Sequence, residues 1–156
     1  MKYSFWEDFI IEGTEDYVGL WQIIGEFSLE PDENYQEIQV LTLDAIREIL
    51  ETGSMQVGMF ENVKNKEPEH CEKELFDINK TDIHRLFFEH KKNKNLEFKI
   101  WKFDVDSIVF KIKMEWDELG RCPSIGEVAW LITTEKGEEE AKRILKEREK
   151  LKSDIQ

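Results

Sequence analysis

Apolar side chains recur along this chain with two periods, about 3.6 residues in some stretches and about 2 in others, and the switches between them mark the predicted elements. Residues 3–11 hold Phe5, Trp6, Phe9, Ile10 and Ile11 interrupted only by Glu7 and Asp8, which predicts a short first helix ended by Gly13. Tyr17, Leu20, Trp21, Ile24 and Phe27 follow helical spacing, a second helix of about three turns with Thr14 as its N-cap and neighbours packed closely on Gly19 and Gly25. Ser28 to Gln36 reads as a loop. Thr42 then caps a helix whose Leu43, Ile46, Ile49 and Leu50 face inward and which Gly53 stops. Met55, Val57 and Met59 alternate with Gln56 and Gly58 as a half-buried strand ending at Phe60.

The second half repeats these signals. Glu61 to Lys80 is polar, with Leu75, Phe76 and Ile78 as anchors, and Thr81 caps a short helix through Ile83, Leu86, Phe87 and His90 before the basic turn Lys91 to Asn95. Leu96, Phe98 and Ile100 alternate as another strand. Asp104 opens the strongest helical stripe, Val105, Ile108, Val109, Ile112, Trp116 and Leu119, which Gly120 and Pro123 end. Val128 to Ile132 is a short β-prone run closed by Thr133 and Thr134. After Gly137 a final helix carries Ala141, Ile144 and Leu145 inward, with Glu138, Glu139 and Glu140 in its first turn and Lys142, Arg143, Lys146 and Arg148 further along, the charge order that suits a helix dipole. The result is an α+β chain of about five helices around a small three-stranded antiparallel sheet.

Composition adds a core and a sign of charge. With 40% hydrophobic residues, five Trp and ten Phe in 156 residues, one domain spanning 1–156 can bury a real interior. Lys and Arg number 22 against 35 Asp and Glu, a net charge of −13, so nucleic acid and anionic membrane surfaces are repelled and a basic partner is attracted. Cys71 and Cys122 have no CxxC spacing, and no apolar run approaches a membrane span, which together point to a cytoplasmic chain.

The segment LITTEKGEEEAKRIL resembles the end of the wing in bacterial winged-helix domains, where a last strand enters a Thr-x-x-Gly turn and a closing helix. GLWQIIGEF is similar to the first helix of such domains, LTLDAIREILETG to the helix before the hairpin and SMQVGMF to the first hairpin strand, leaving 61–126 as an insertion between hairpin strands. The resemblance implies a winged-helix-like scaffold. Its DNA-binding function would fall to Arg47, Lys91, Lys92 and Lys94, although the outward residues Asp44, Glu48 and Glu51 beside Arg47 oppose a phosphate backbone. In size, acidity and lack of a catalytic signature the chain also resembles small bacterial immunity proteins encoded beside secreted toxins.

Candidate chemistry is sparse. His70, Cys71, His84, His90 and Cys122 lack the spacing of a zinc site, and Arg121-Cys122-Pro123-Ser124 matches no nucleophile turn. Asp104 with Asp106, and Glu115 with Asp117 and Glu118, are read as helix caps and solvated faces, and Gly53 and Gly58 lack the companions of a phosphate loop. The tryptophans at 21, 101, 116 and 130 are placed in the core, with one available to line a partner pocket. The expectation is therefore a non-enzymatic, acidic, cofactor-free protein that binds a basic protein partner in an immunity or antitoxin-like role. Contacts are assigned to Asp32, Glu33, Glu48, Glu51, Glu115 and Asp117; the alternative is a winged-helix DNA-binding regulator.

Overall fold

A computed structural model describes residues 1–28, 34–62 and 96–155. Its elements are α1 (Trp6–Glu12), β1 (Val18–Gly19), α2 (Leu20–Gly25), α3 (Tyr35–Thr52), β2 (Met55–Asn62), β3 (Leu96–Ile100), α4 (Val105–Leu119), β4 (Trp130–Thr133) and α5 (Glu135–Ile155). The class is α+β, with five helices and one four-stranded antiparallel sheet among the described residues. The predicted helix at Thr81 to His90 and the basic turn after it lie outside those residues.

The sheet has four strands rather than three because Val18 and Gly19, which carry a helical pattern in sequence, are extended and pair with Leu131 and Trp130. The strand order is β1-β4-β2-β3. Helix α2 accordingly begins only at Leu20, with the Gln22 side chain accepting a hydrogen bond from the Gly19 N–H at 2.8 Å. Thr14 plays no part in that cap; its hydroxyl donates to the Ile11 carbonyl at the end of α1. Gly25 is open rather than closely packed, while the Trp21 ring lies over Gly19.

The helix predicted from Thr42 starts instead at Tyr35, within the stretch read as loop. Its buried stripe extends backward through Ile38 and Gln39, so Thr42 sits fully buried in the middle of α3 beside Ala45, Ile46 and Ile49. The end is as predicted: Gly53 closes α3 in the left-handed region at φ 77°, a conformation that favours glycine. Strand β4 begins two residues later than its apolar run because Val128 adopts φ 68° and breaks the extended geometry.

Helix α5 starts before Gly137. The Thr134 hydroxyl accepts from the Gly137 N–H at 3.1 Å, as an N-cap does, and donates to the Gly53 carbonyl at 2.6 Å. Glycine at 137 reflects a close approach: a Cβ there would lie 2.1 Å from the Ser54 carbonyl oxygen. Ala141 and Ile144 are buried, but Leu145, which the helical pattern also places inward, is exposed.

Helices cover one face of the sheet. Val18, Leu131, Met55 and Val57 join Trp6, Ile10, Ile46, Ile49, Ile112 and Trp116 in the main core. On the opposite face Tyr17, Phe60 and Trp130 form a second cluster with Phe98, the Tyr17–Phe98 and Tyr17–Phe60 centroids lying 4.8 and 4.9 Å apart.

Candidate protein-interaction face on helices α3 and α4

Apolar packing of Ile108, Ile112 and Trp116 seats α4 in the same core as α3, and two polar contacts fix how the pair lies. Gln39 Nε2 donates to Asp117 Oδ1 at 2.9 Å, and Arg47 pairs with Asp106, so the helices run antiparallel. Asp104 caps α4, its carboxylate accepting from the Ser107 N–H at 2.7 Å, and this bond holds its carboxyl below the ordinary range. The assignment of Asp104 as a cap agrees with the structure.

What α4 turns outward is unusual for a surface. Phe103 lies just before the helix begins, and Phe110 and Met114, four residues apart, share one side of it. They are 58%, 63% and 47% exposed, and Val40 on α3 is 67% exposed. With Leu41, these make five of the eight exposed large hydrophobics among the described residues, gathered on α3, α4 and the residues that lead into α4.

Carboxylates border these residues, and several already have partners within the chain. Asp44 accepts from the Tyr3 hydroxyl at 2.6 Å and from Lys2 Nζ at 3.1 Å; the Tyr3 bond and then Lys2 lower its carboxyl. Glu48 accepts from the backbone N–H groups of Lys2 and Tyr3, and so ties the first residues to α3. Asp117, besides Gln39, accepts from Lys113 Nζ at 2.8 Å, and the Lys113 bond is the main cause of its lowered pKa. Glu115 is half-buried, burial raises its carboxyl, and Lys111 Nζ stands 3.8 Å from an Oε2 that lacks a hydrogen bond. Glu51 is exposed on the last turn of α3. Arg47 is engaged by Asp106, whose bond raises its already high pKa. Asp32, Glu33, Lys91, Lys92 and Lys94 lie outside the described residues.

Four of the six acids assigned from sequence therefore fall on α3 and α4, with Glu37 and Asp106 as further exposed carboxylates of these helices. The apolar members of the face carry no signal in a core-seeking pattern. A charge count by segment does carry one: residues 1–62 hold fourteen acids against Lys2 and Arg47, a net of −12, whereas residues 63–156 hold 21 acids and 20 bases.

Compared with protein-family models, curated proteins and solved structures, the chain matches none. The physical character of the face stands by itself. It offers solvent-facing apolar side chains, fixed on two helices with a common core and bordered by carboxylates. Among the described residues no group of three or more His, Cys, Asp or Glu is placed to hold a metal ion, and no helix is long and apolar enough to cross a membrane. The Cys122 thiol is buried.

Proposed function

We propose that this chain is a non-enzymatic, acidic protein that binds another protein, in an immunity or antitoxin-like role toward a basic partner, and that α3 and α4 form the contact. The observation that carries this reading is the exposed pair Phe110 and Met114, with Phe103 at the entry to their helix, on an element clamped to the acidic α3. Apolar side chains of this size act as anchors, while surrounding charge steers the approach of an oppositely charged protein. The test is association with the basic protein encoded beside its gene, measured over a range of NaCl concentrations. Binding should weaken as salt rises and fall at least tenfold in Phe110→Asp; absence of binding at low salt, or indifference to that substitution, would overturn the proposal.

A second reading, a winged-helix DNA-binding regulator, draws support from the element order. The succession α1, β1, α2, α3, β2, β4, with β4 lying between β1 and β2, suits a winged-helix-like scaffold in which β3 and α4 belong to the segment 61–126 between the wing strands. The chemistry favours the first reading, because α4 lies along α3, Asp106 engages Arg47, and α3, the helix that would face DNA, carries Glu37, Asp44, Glu48 and Glu51 against that one arginine. A mobility-shift titration at low salt separates the two.

A further inference from the structure

Where α3 ends and β3 runs into α4, the surface opens into a cleft of about 280 Å³. Leu50, Met55, Val57, Trp101, Val105 and Ile108 supply apolar walls; Gln56, Thr134 and Lys102 stand among the lining residues as its polar members. Trp101 is 8% exposed; its backbone N–H donates to the Val57 carbonyl at 2.9 Å, and Lys111 Nζ stands 4.8 Å from its ring centroid. The walls therefore come from elements fixed by the core. Their volume lies just under the usual range for ligand pockets, which suits a single ring or a short chain.

The charge at this cleft differs from that of the surrounding surface. Lys102 is exposed and has no carboxylate partner among the described residues. The nearest acids along the chain are occupied: Asp104 caps α4 through Ser107, and Asp106 pairs with Arg47. A second lysine, Lys136, stands beside the Gly53 wall with its Nζ donating to the Thr52 carbonyl. Glu51, two residues before Gly53, and Glu135, next to Thr134, are opposing charges on this side.

We propose that this cleft binds a small amphipathic monocarboxylate, its apolar body against Trp101, Val57 and Ile108 and its carboxylate on Lys102. Phe103 borders both this cleft and the face proposed above, but binding of the monocarboxylate is a further role that needs no protein partner.

Three probes of one shape and different charge test it: phenylpropionate, phenylpropanol and phenylpropylamine, each titrated against the full chain by tryptophan fluorescence and by amide chemical-shift perturbation. Phenylpropionate should bind with an affinity of about millimolar, the scale for so few atoms. It should bind about two- to fivefold tighter than the alcohol, the range of an exposed ion pair, with the amine weakest. Lys102→Glu, a change at an exposed position, should reverse the order of acid and amine, and Trp101→Phe should abolish the fluorescence response while leaving the chemical-shift response in place. Equal binding of acid and alcohol, an order unmoved by Lys102→Glu, or no response to any probe would overturn the proposal.

Discussion

Thr42→Val separates two structural accounts by the sign of its effect. If Thr42 capped a helix, losing its hydroxyl would cost about 1 kcal/mol, since the side-chain oxygen would have been serving a free backbone N–H. In the structure Thr42 is instead a fully buried mid-helix residue of α3, and its Oγ1 has no hydrogen-bond partner. A hydroxyl buried without a partner costs about 1–3 kcal/mol by the measure of protein substitutions. Valine fills nearly the same space with a methyl group and has a helix propensity close to that of threonine.

The substitution should therefore stabilise the fold by about 1–2 kcal/mol. For a domain of this size the melting temperature rises by about 2–4 °C per kcal/mol, so an increase of about 2–8 °C is expected. Urea unfolding is the stricter assay: the midpoint should move up while the slope stays constant, which identifies a change in stability rather than in the unfolded ensemble. A loss of about 0.5 kcal/mol or more would refute the placement of Thr42 in the interior.

Gly137→Ala should lower stability by about 2 kcal/mol in thermal melts despite the better helix propensity of alanine, because the new Cβ would meet the Ser54 carbonyl oxygen; a rise would refute the close approach. The Glu127 carboxyl is held down to about 2, chiefly by its bonds with Arg121 and also by Ser124. A lowered folded pKa means that its stabilisation is complete above the unfolded value of about 4.3 and is lost as pH falls toward 2. Solvent screening keeps it to about 1 kcal/mol, so the stability gap between wild type and Glu127→Gln should close over that acid window in urea titrations, and a gap constant with pH would contradict the pairing. Phe110→Asp should change stability by less than about 0.5 kcal/mol, since the side chain faces solvent, which makes it a clean probe of binding; a marked loss of stability by calorimetry would show that Phe110 supports the fold.

Local signals carried much of this fold. The Asp104 cap, the left-handed stops at Gly53 and Gly120 and the alternation of Met55, Val57 and Met59 each depend on a few neighbouring residues, and each reappears in three dimensions. The differences arise where a distant partner decides. Val18 and Gly19 fit a helix until β4 offers them a ladder, and Thr42 resembles a cap until the core accepts the turns before it. The candidate face is legible only in part. Its acids stand out by charge, but Phe110 and Met114 look in sequence like any other apolar residues of an amphipathic helix, and only the geometry of α4 shows that they point away from Ile108 and Ile112.

That geometry makes the face a composite of charge and apolar anchors. Helix α3 carries four carboxylates against Arg47, and α4 carries four against Lys111 and Lys113 and adds Phe110 and Met114. Long-range attraction on the proposed reading then belongs to the carboxylates of both helices, and short-range anchoring to Phe110 and Met114. Charge governs encounter and buried apolar contact governs residence, so the two should separate in kinetics. Glu37→Lys with Glu51→Lys should slow association several-fold at low salt and flatten its salt dependence, with little change in dissociation. Phe110→Ala with Met114→Ala should speed dissociation and leave the salt dependence as it was. Stopped-flow or surface-immobilised binding measurements distinguish these outcomes, and a pair of variants affecting both rates alike would show that charge and anchor do not act separately.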